Sequence, residues 1–255
     1  MSDSLRERLA ARGLDWIVPD WPAPPNVQAL MTTRNGGVSA GACATMNLAR
    51  NGGDDPDAVA RNQRVLEDIV GRPVAWLSQV HGTVVADVDR CDGIPTADAA
   101  IARSPGRVVS VRIADCLPVL FSDRAGTRVA AAHAGWRGLA AGVLEATVQA
   151  LQVDPAEVVA WMGPAIGPDR FEVGADVRDA FLARDDRAAA AFRPYPDRPG
   201  KWLADLFALA TLRLRAAGVA SLHGGGLCTA SDPGRFFSYR RDQSPGRMAA
   251  LVWLE

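Results

Sequence analysis

The stretch ADCLPVLFSDRAGTRVAAAHAGWRG, residues 114–138, puts a cysteine and a histidine on the two arms of what reads as one β-hairpin. Residues 117–122 and 127–132 are short apolar runs. Asp123, Arg124, Ala125 and Gly126 between them carry turn chemistry, with an Asp opener and a Gly closer. With those four residues as the loop, Ser122 faces Thr127. Facing residue numbers keep a constant sum, so Cys116 then faces His133. Facing residues have Cβ atoms roughly 4.5–5.5 Å apart on one side of the sheet. That suits two ligands of one ion, with Zn–S and Zn–N bonds of about 2.3 and 2.0 Å. It suits a thiolate–imidazolium pair equally well. A one-residue slip would send the two side chains to opposite faces. The bland alternative is an inert buried thiol beside a hydrogen-bonded packing histidine.

The chain has three histidines, so each can be weighed. His81 closes an apolar run in SQVHG, and His133 closes another in AAHAGW. His223 precedes GGG and reads as a loop residue. Two strand-end histidines and one strand-start cysteine make a candidate His₂Cys set. Three protein ligands with a fourth position open is the pattern of a catalytic zinc. A nucleophilic Cys116 activated by His133 is the rival, but it gives His81 no task.

Periodicity and punctuation predict the elements that carry these residues. Residues 5–11 read as a short helix. WPAPP leads into a strand at 27–33, followed by the Gly-rich loop TRNGGVSAGA. Residues 54–71 form a helix with Asp-Pro at its start and Gly at its end. PVAWLSQV, TVVADV and RVVSVRI read as strands. Residues 138–151, 173–184 and 203–218 read as helices, and 158–167 as a strand running into a Pro/Gly loop. Residues 236–254 read as a hairpin whose last strand is apolar throughout. Hairpins with helices between them indicate an α+β fold with mixed sheets. There is no Walker motif and no GxGxxG.

Composition narrows the class. The chain of 255 residues has net charge −1 and no basic stripe, which argues against nucleic acid as a partner. No apolar run is long enough to span a bilayer. The N-terminus lacks the apolar core of a signal peptide, so a cytoplasmic location is expected. The four cysteines are widely spaced, which predicts free thiols and excludes a clustered-cysteine structural zinc site.

Five motifs in order, SQVHG, ADCLPVLF, AAHAGWRG, GPAIGP…FEVG and FFSYRRD…GRMAA, resemble the YfiH family. That family is also called the multicopper polyphenol oxidoreductase or laccase-domain family, and the peptidoglycan editing factors. The likeness runs from about residue 31 to 253, and two stretches depart from it: Cys43–Ala44 in GACATMNLA and Pro245 in DQSPGRMA. The resemblance implies one domain over 1–255, with 1–26 as an N-terminal extension. It implies stacked mixed sheets with outer helices, similar to the catalytic domain of cytotoxic necrotizing factor. It also implies zinc bound by His81, Cys116 and His133, phosphorolysis of adenosine, inosine, guanosine and methylthioadenosine, and deamination of adenosine. The partners expected are a purine nucleoside and phosphate, with no membrane and a monomeric chain.

A standard multicopper oxidase needs about ten histidines in HxH pairs, which three cannot supply. A single His₂Cys site can nevertheless take copper, since Cu²⁺ outcompetes Zn²⁺ on most N/S ligands; laccase-like oxidation would then be incidental. An editing hydrolase acting on a peptidoglycan precursor is the other alternative. For the substrate, Arg34 and Asn47 flank the Gly-rich loop, Asp115 neighbours Cys116 as a candidate proton donor, and Arg137 opens a helix where an anion is favoured. Arg240 and Arg241 are further anion candidates. Phe236 and Phe237 read as core more readily than as a purine stack.

Overall fold

The computed structural model describes residues 4–50, 52–196, 198–243 and 246–255. One sheet has the order β1-β13-β5-β2, from β1 (Val27–Met31), β2 (Val74–Ala75), β5 (Val108–Ile113) and β13 (Met248–Leu254). The larger sheet has the order β12-β8-β6-β7-β4-β3. Its strands are β3 (Val85–Asp87), β4 (Ala99–Ala102), β6 (Leu117–Asp123), β7 (Val129–Ala134), β8 (Val158–Met162) and β12 (Ser221–Gly224). The pairs β2–β5, β3–β4 and β12–β8 are parallel and the others antiparallel, so both sheets are mixed. A small sheet, β10-β11-β9, joins β9 (Glu172–Val173), β10 (Phe192–Pro194) and β11 (Trp202–Ala204).

Burial follows strand period. On β13, Met248, Ala250, Val252 and Leu254 pack into a core shared with Leu120, Val129, Ala131 and Trp161 of the larger sheet. The alternate residues Ala249, Leu251 and Trp253 pack outward, against Leu5 and Leu9 of α1 (Leu5–Ala11) and Leu66, Ile69 and Val70 of α2 (Pro56–Val70). A strand covered on both faces must be apolar throughout. The far face of the larger sheet is covered by α3 (Trp136–Ala141), α4 (Val143–Leu151), α5 (Ala175–Leu182) and α6 (Leu206–Ala216). The result is four layers, helices outside and two sheets between them. The expected α+β fold of stacked mixed sheets is therefore observed. Helix α2 carries the expected punctuation: Asp55 caps it, Pro56 opens it, and Gly71 closes it at φ 77°.

Several local expectations change. The β6–β7 register pairs Leu117 with Ala134, Pro118 with His133 and Ser122 with Val129. Asp123 stays in the strand because its carboxylate accepts the Thr127 amide (2.7 Å), the Thr127 hydroxyl (2.6 Å) and the Arg128 amide (3.0 Å). The loop becomes 124–127 and the register moves by two. Cys116 and His133 are thus diagonal rather than opposite, on the same face. The helix expected over 138–151 breaks at Gly142, φ 108°, into α3 and α4. Only Val74–Ala75 of PVAWLSQV is a strand; Ser78 makes one further bridge, to Thr96. The hairpin expected over 236–254 is replaced by α7 (Tyr239–Asp242) followed by β13, with Phe236 and Phe237 fully buried core residues. His223 lies on β12 rather than in a loop. Pro245 lies outside the described residues. Among the described residues no helix is long and apolar enough to cross a membrane.

The Gly-rich loop is held to α2 by one side chain. Asn62 Oδ1 accepts the Val38 amide at 2.8 Å, and its Nδ2 lies within 3.0 Å of Ser39 Oγ and the Thr45 and Asn47 carbonyls. Asn62→Ala leaves buried polar groups unpaired and is expected to destabilise the fold by about 2–3 kcal/mol. Chemical denaturation, comparing midpoints at unchanged slope, checks this.

Candidate metal centre

The centre is assembled where three chain segments meet at one end of the β6–β7 hairpin. His133 is the penultimate residue of β7, Cys116 immediately precedes β6, and His81 follows the extended segment after β2. Alternation puts Cys116 and His133 on the face that carries Leu120 and Ala131, toward the crevice between the two sheets. One ligand atom from each of His81, Cys116 and His133 lies within 4.8 Å of the others. Cys116 Sγ is 3.8 Å from His81 Nε2, and the two imidazole rings meet edge-on with centroids 4.8 Å apart.

Asp98 holds both histidines. It is fully buried just before β4. Its Oδ1 accepts the His81 amide at 2.9 Å and lies 2.8 Å from His133 Nδ1; its Oδ2 accepts the Val80 and Gly82 amides at 3.1 and 2.6 Å. Three successive amides can converge on one carboxylate because His81 adopts the left-handed region, φ 62°. With Nδ1 engaged by Asp98, His133 offers Nε2 to a ligand.

Glycines permit the close approach. A Cβ at Gly135 would lie 2.9 Å from Cys116 Sγ and His81 Cδ2, and one at Gly138 would lie 2.9 Å from the Gly82 carbonyl. Only the bare backbone of AGWRG lets α3 begin beneath the cluster.

Burial opposes ionisation of Cys116, but the His133 imidazolium and hydrogen bonds from both histidines bring the thiol down to about 6. Burial likewise disfavours the His133 cation, yet the Cys116 thiolate and Asp98 raise it to about 9. Burial also opposes ionisation of Asp98, and the His133 contact with the Gly82 and Val80 amides outweighs it, holding the carboxyl below its ordinary range. Without metal the centre is a thiolate–imidazolium pair. The donor set, two imidazoles and a thiol with ligand atoms within 4.8 Å of one another, is of the chemical kind that zinc or copper takes.

The cluster lies in the wall of a cavity of about 560 Å³, also lined by Arg50, Gln79, Arg112, Asp115, Ile166, Phe171, Tyr239, Arg240 and Arg247. Of Arg34, Asn47, Asp115 and Arg137, only Asp115 is among the lining. Its carboxylate accepts Thr229 Oγ1 (2.6 Å), Ser238 Oγ (3.0 Å) and the Arg240 amide (2.7 Å), so both of its oxygens are engaged within the fold. Arg34 is outside the lining: its guanidinium donates to the Ala44 and Pro233 carbonyls and stacks on Phe237. Asn47 is buried behind the wall, accepting the Ala49 and Arg247 amides and donating to Asp54. Arg137 is exposed and stacks on Trp136. Arg241 is tied to the Thr229, Ala230 and Phe236 carbonyls and to Asp242. Arg240 does reach the cavity, with Nη1 donating to the Glu172 carbonyl.

Sequence reasoning missed Asp98, Arg50, Arg112 and Arg247. Two signals were present. Asp98 stands directly before a strand of small apolar residues, AAIA, where an acid needs donors. Arg112 interrupts the apolar strand RVVSVRI, where a cation needs a reason.

Two outcomes test the centre. Asp98→Asn is expected to weaken metal affinity about 10–100-fold, as loss of a ligand's outer partner does; competition with a chromogenic chelator measures it. In metal-free protein, alkylation of Cys116 followed by mass spectrometry should be fast at pH 7 and fall as pH drops through about 6, whereas an ordinary thiol titrates near 8.5. Asp98→Asn removes support for the His133 cation, so that inflection should move upward. Metal should protect the thiol over the pH range in which it stays bound.

The comparisons agree with this architecture. A protein of Pseudomonas aeruginosa named purine nucleoside phosphorylase is 53% identical over 240 residues, covering 94% of this chain and 98% of its own length. The Escherichia coli protein named purine nucleoside phosphorylase YfiH is 50% identical over 245 residues, covering 93% and 98%. The crystal structure of a Neisseria meningitidis protein superposes with a TM-score of 0.92 at 52% identity, covering 94% of this chain and 99% of that one. That of YlmD from Geobacillus stearothermophilus superposes at 0.81 with 30% identity, covering 91% and 93%. Residues 28–255 match the family described as multi-copper polyphenol oxidoreductase laccase. With that match and these relatives, the chain belongs to the YfiH, or laccase-domain, family.

Proposed function

We propose that this chain is a purine nucleoside phosphorylase working with a divalent ion, zinc before copper, held by His81, Cys116 and His133. The observation that carries the reading is the convergence of those three side chains in the wall of the cavity. The names of relatives about half identical to it supply the substrate class. The cavity volume lies within the range of small-molecule sites.

Held by these three residues, the ion would supply Lewis-acid chemistry to the cavity. In phosphorolysis an oxygen of hydrogen phosphate bonds to C1′ of the ribose and the C1′–N9 bond breaks. Its electron pair leaves with the purine, which also gains the proton that hydrogen phosphate loses. Phe171, Ile166 and Tyr239 offer the base an apolar and aromatic wall. Asp115 holds Thr229, Ser238 and Arg240, and so the segment that carries Tyr239 to the cavity. Asp98 fixes the ring of His133 and the backbone of His81. The substrates on this reading are adenosine, inosine, guanosine and methylthioadenosine, each with a purine joined to C1′ of a ribose. In deamination of adenosine an oxygen of water would instead bond to C6 as the C6–N6 bond breaks, with one water proton leaving on the ammonia released, the other staying on the purine, and the C1′–N9 bond intact.

A second reading has one observation in its favour. Cys116, His133 and Asp98 can be read as a nucleophile–base–orienter line, with His133 Nδ1 on Asp98 and the charges of Cys116 and His133 favouring one another. That line suits hydrolysis of an amide or ester in a peptidoglycan precursor, and it leaves His81 idle.

Phosphate separates the readings. Zinc-loaded protein incubated with inosine is expected to release hypoxanthine and ribose 1-phosphate only when phosphate is present, and Cys116→Ala to abolish this while the fold survives. Chelator-resistant, phosphate-independent cleavage of a muropeptide, with no nucleoside turnover, would favour the hydrolase.

A further inference from the structure

The cavity that holds the cluster is strongly cationic. Arg50, Arg112, Arg240 and Arg247 line it, and Asp115 is its one carboxylate among the described residues. Both Asp115 oxygens are already engaged. No described carboxylate forms an ion pair with Arg50, Arg112 or Arg240. Arg240 stacks on Phe171 with its head group on the Glu172 carbonyl, and so belongs to the aromatic wall.

The other three are gathered by deliberate backbone construction. Leu48 donates its amide to the Arg247 carbonyl at 3.0 Å, and Asn47 Oδ1 accepts both the Ala49 and Arg247 amides at 2.9 Å. The segment carrying Arg50 is thereby clipped to the segment carrying Arg247. Arg112 joins them: its guanidinium donates to the Leu77 carbonyl at 2.7 Å, contacts the Leu48 carbonyl at 3.5 Å and lies over Trp76. Gln79 fixes its backbone, with both bonds at 2.8 Å. A guanidinium has five donors, so these contacts leave Arg112 further donors for a ligand. Burial and then the charges of Arg50 and Arg247 push the Arg112 pKa below its ordinary value, the mark of like charges held together. Like charges held this close repel one another, and an oxyanion among them would offset that repulsion.

We propose that Arg50, Arg112 and Arg247 form an oxyanion subsite that holds inorganic phosphate beside the His81–Cys116–His133 cluster. Resting on the phosphorolysis reading, this subsite presents the phosphate whose oxygen bonds to C1′ as the C1′–N9 bond breaks. Planar guanidinium forks match the oxygens of a phosphate dianion. Asn47 is a positioning residue of the subsite, reaching it through the Ala49 and Arg247 amides and not by touching the anion.

The test is calorimetric titration of zinc-loaded protein with inorganic phosphate alone, and separately with adenosine 5′-monophosphate, so that free phosphate and a nucleotide's phosphate are told apart. Arg50→Gln is expected to weaken phosphate binding tenfold or more, and Arg112→Gln by at least as much, with zinc content and inosine binding unchanged. Arg50 is exposed, so its variant should fold even where Arg112→Gln does not, and melting temperature checks both. Unchanged phosphate affinity in a folded, zinc-loaded Arg50→Gln overturns the subsite. A loss confined to Arg137→Gln, or nucleotide binding without phosphate binding, overturns it too. If phosphate binds and Arg50→Gln weakens it while the wild type shows no phosphate-dependent nucleoside turnover, the subsite stands and the phosphorolysis reading fails.

Discussion

The arrangement of this site depends on one buried carboxylate. Asp98 has no solvent to stabilise its charge, and an unpaired buried anion would cost several kcal/mol. It is stabilised by donors from two distant parts of the chain: three amides of the 80–82 turn and the Nδ1 of His133. The donors are what the site needs fixed. The turn carries His81 and the imidazole is His133. The requirement to satisfy one charge therefore sets the relative position of two candidate ligands 52 positions apart in sequence. The third, Cys116, immediately precedes the strand paired to β7, and the absence of a Cβ at Gly135 permits its close approach.

The stacked sheets explain why the cavity lies where it does. Between the sheets the chain buries small and branched side chains: Ala100, Ala102 and Ala131 from one, Val109, Val111 and Val252 from the other. Alanine is a weak strand former, and it serves in β4 and β7 because it lets covered sheets close on one another. At the strand ends the apolar filling stops. β5 ends in Arg112 and Ile113, β13 is entered from Arg247, and β6 is entered from Asp115 and Cys116. Polar and charged groups excluded from the core meet at that end of the crevice, where loops rather than ladders set their positions.

That division between strands and loops also decides what was legible in the sequence. Strand periodicity has only two faces, so the hairpin could be misregistered by two residues and still put Cys116 and His133 on one side. The helix with Asp55, Pro56 and Gly71 was readable because its caps are local chemistry. His81 could be read as ending an extended run, yet its left-handed backbone follows from Asp98, 17 residues later, and no local pattern encodes that. Arg34 and Asn47 stood out because they flank a Gly-rich loop. Their partners, Ala44, Pro233 and the Arg247 amide, are brought to them by tertiary structure. Residues 236–238 looked like a strand because they are apolar. The same burial is met by Phe236 and Phe237 entering the inter-sheet core from a turn, after which Ser238 and Arg240 are claimed by Asp115.

The cavity therefore gathers charged groups within a largely apolar fold. It brings together the Cys116 thiol, the His133 imidazole and the Arg112 and Arg247 guanidinium groups, whose charged forms are each disfavoured by burial and only partly matched by their neighbours. The layers around it are apolar and closely packed, and they leave these groups little room to separate. A metal cation would neutralise the thiolate and compete with the proton on His133. An oxyanion would offset the guanidinium charge. Either ligand alone relieves one half of the mismatch, and the two together bring opposite charges into the same cavity, where low surrounding polarity strengthens their attraction. On this physical argument metal and anion should bind with positive coupling, each raising the affinity of the other by the same factor. The coupling originates in groups that Asp98 and Asn47 hold in place before either ligand arrives.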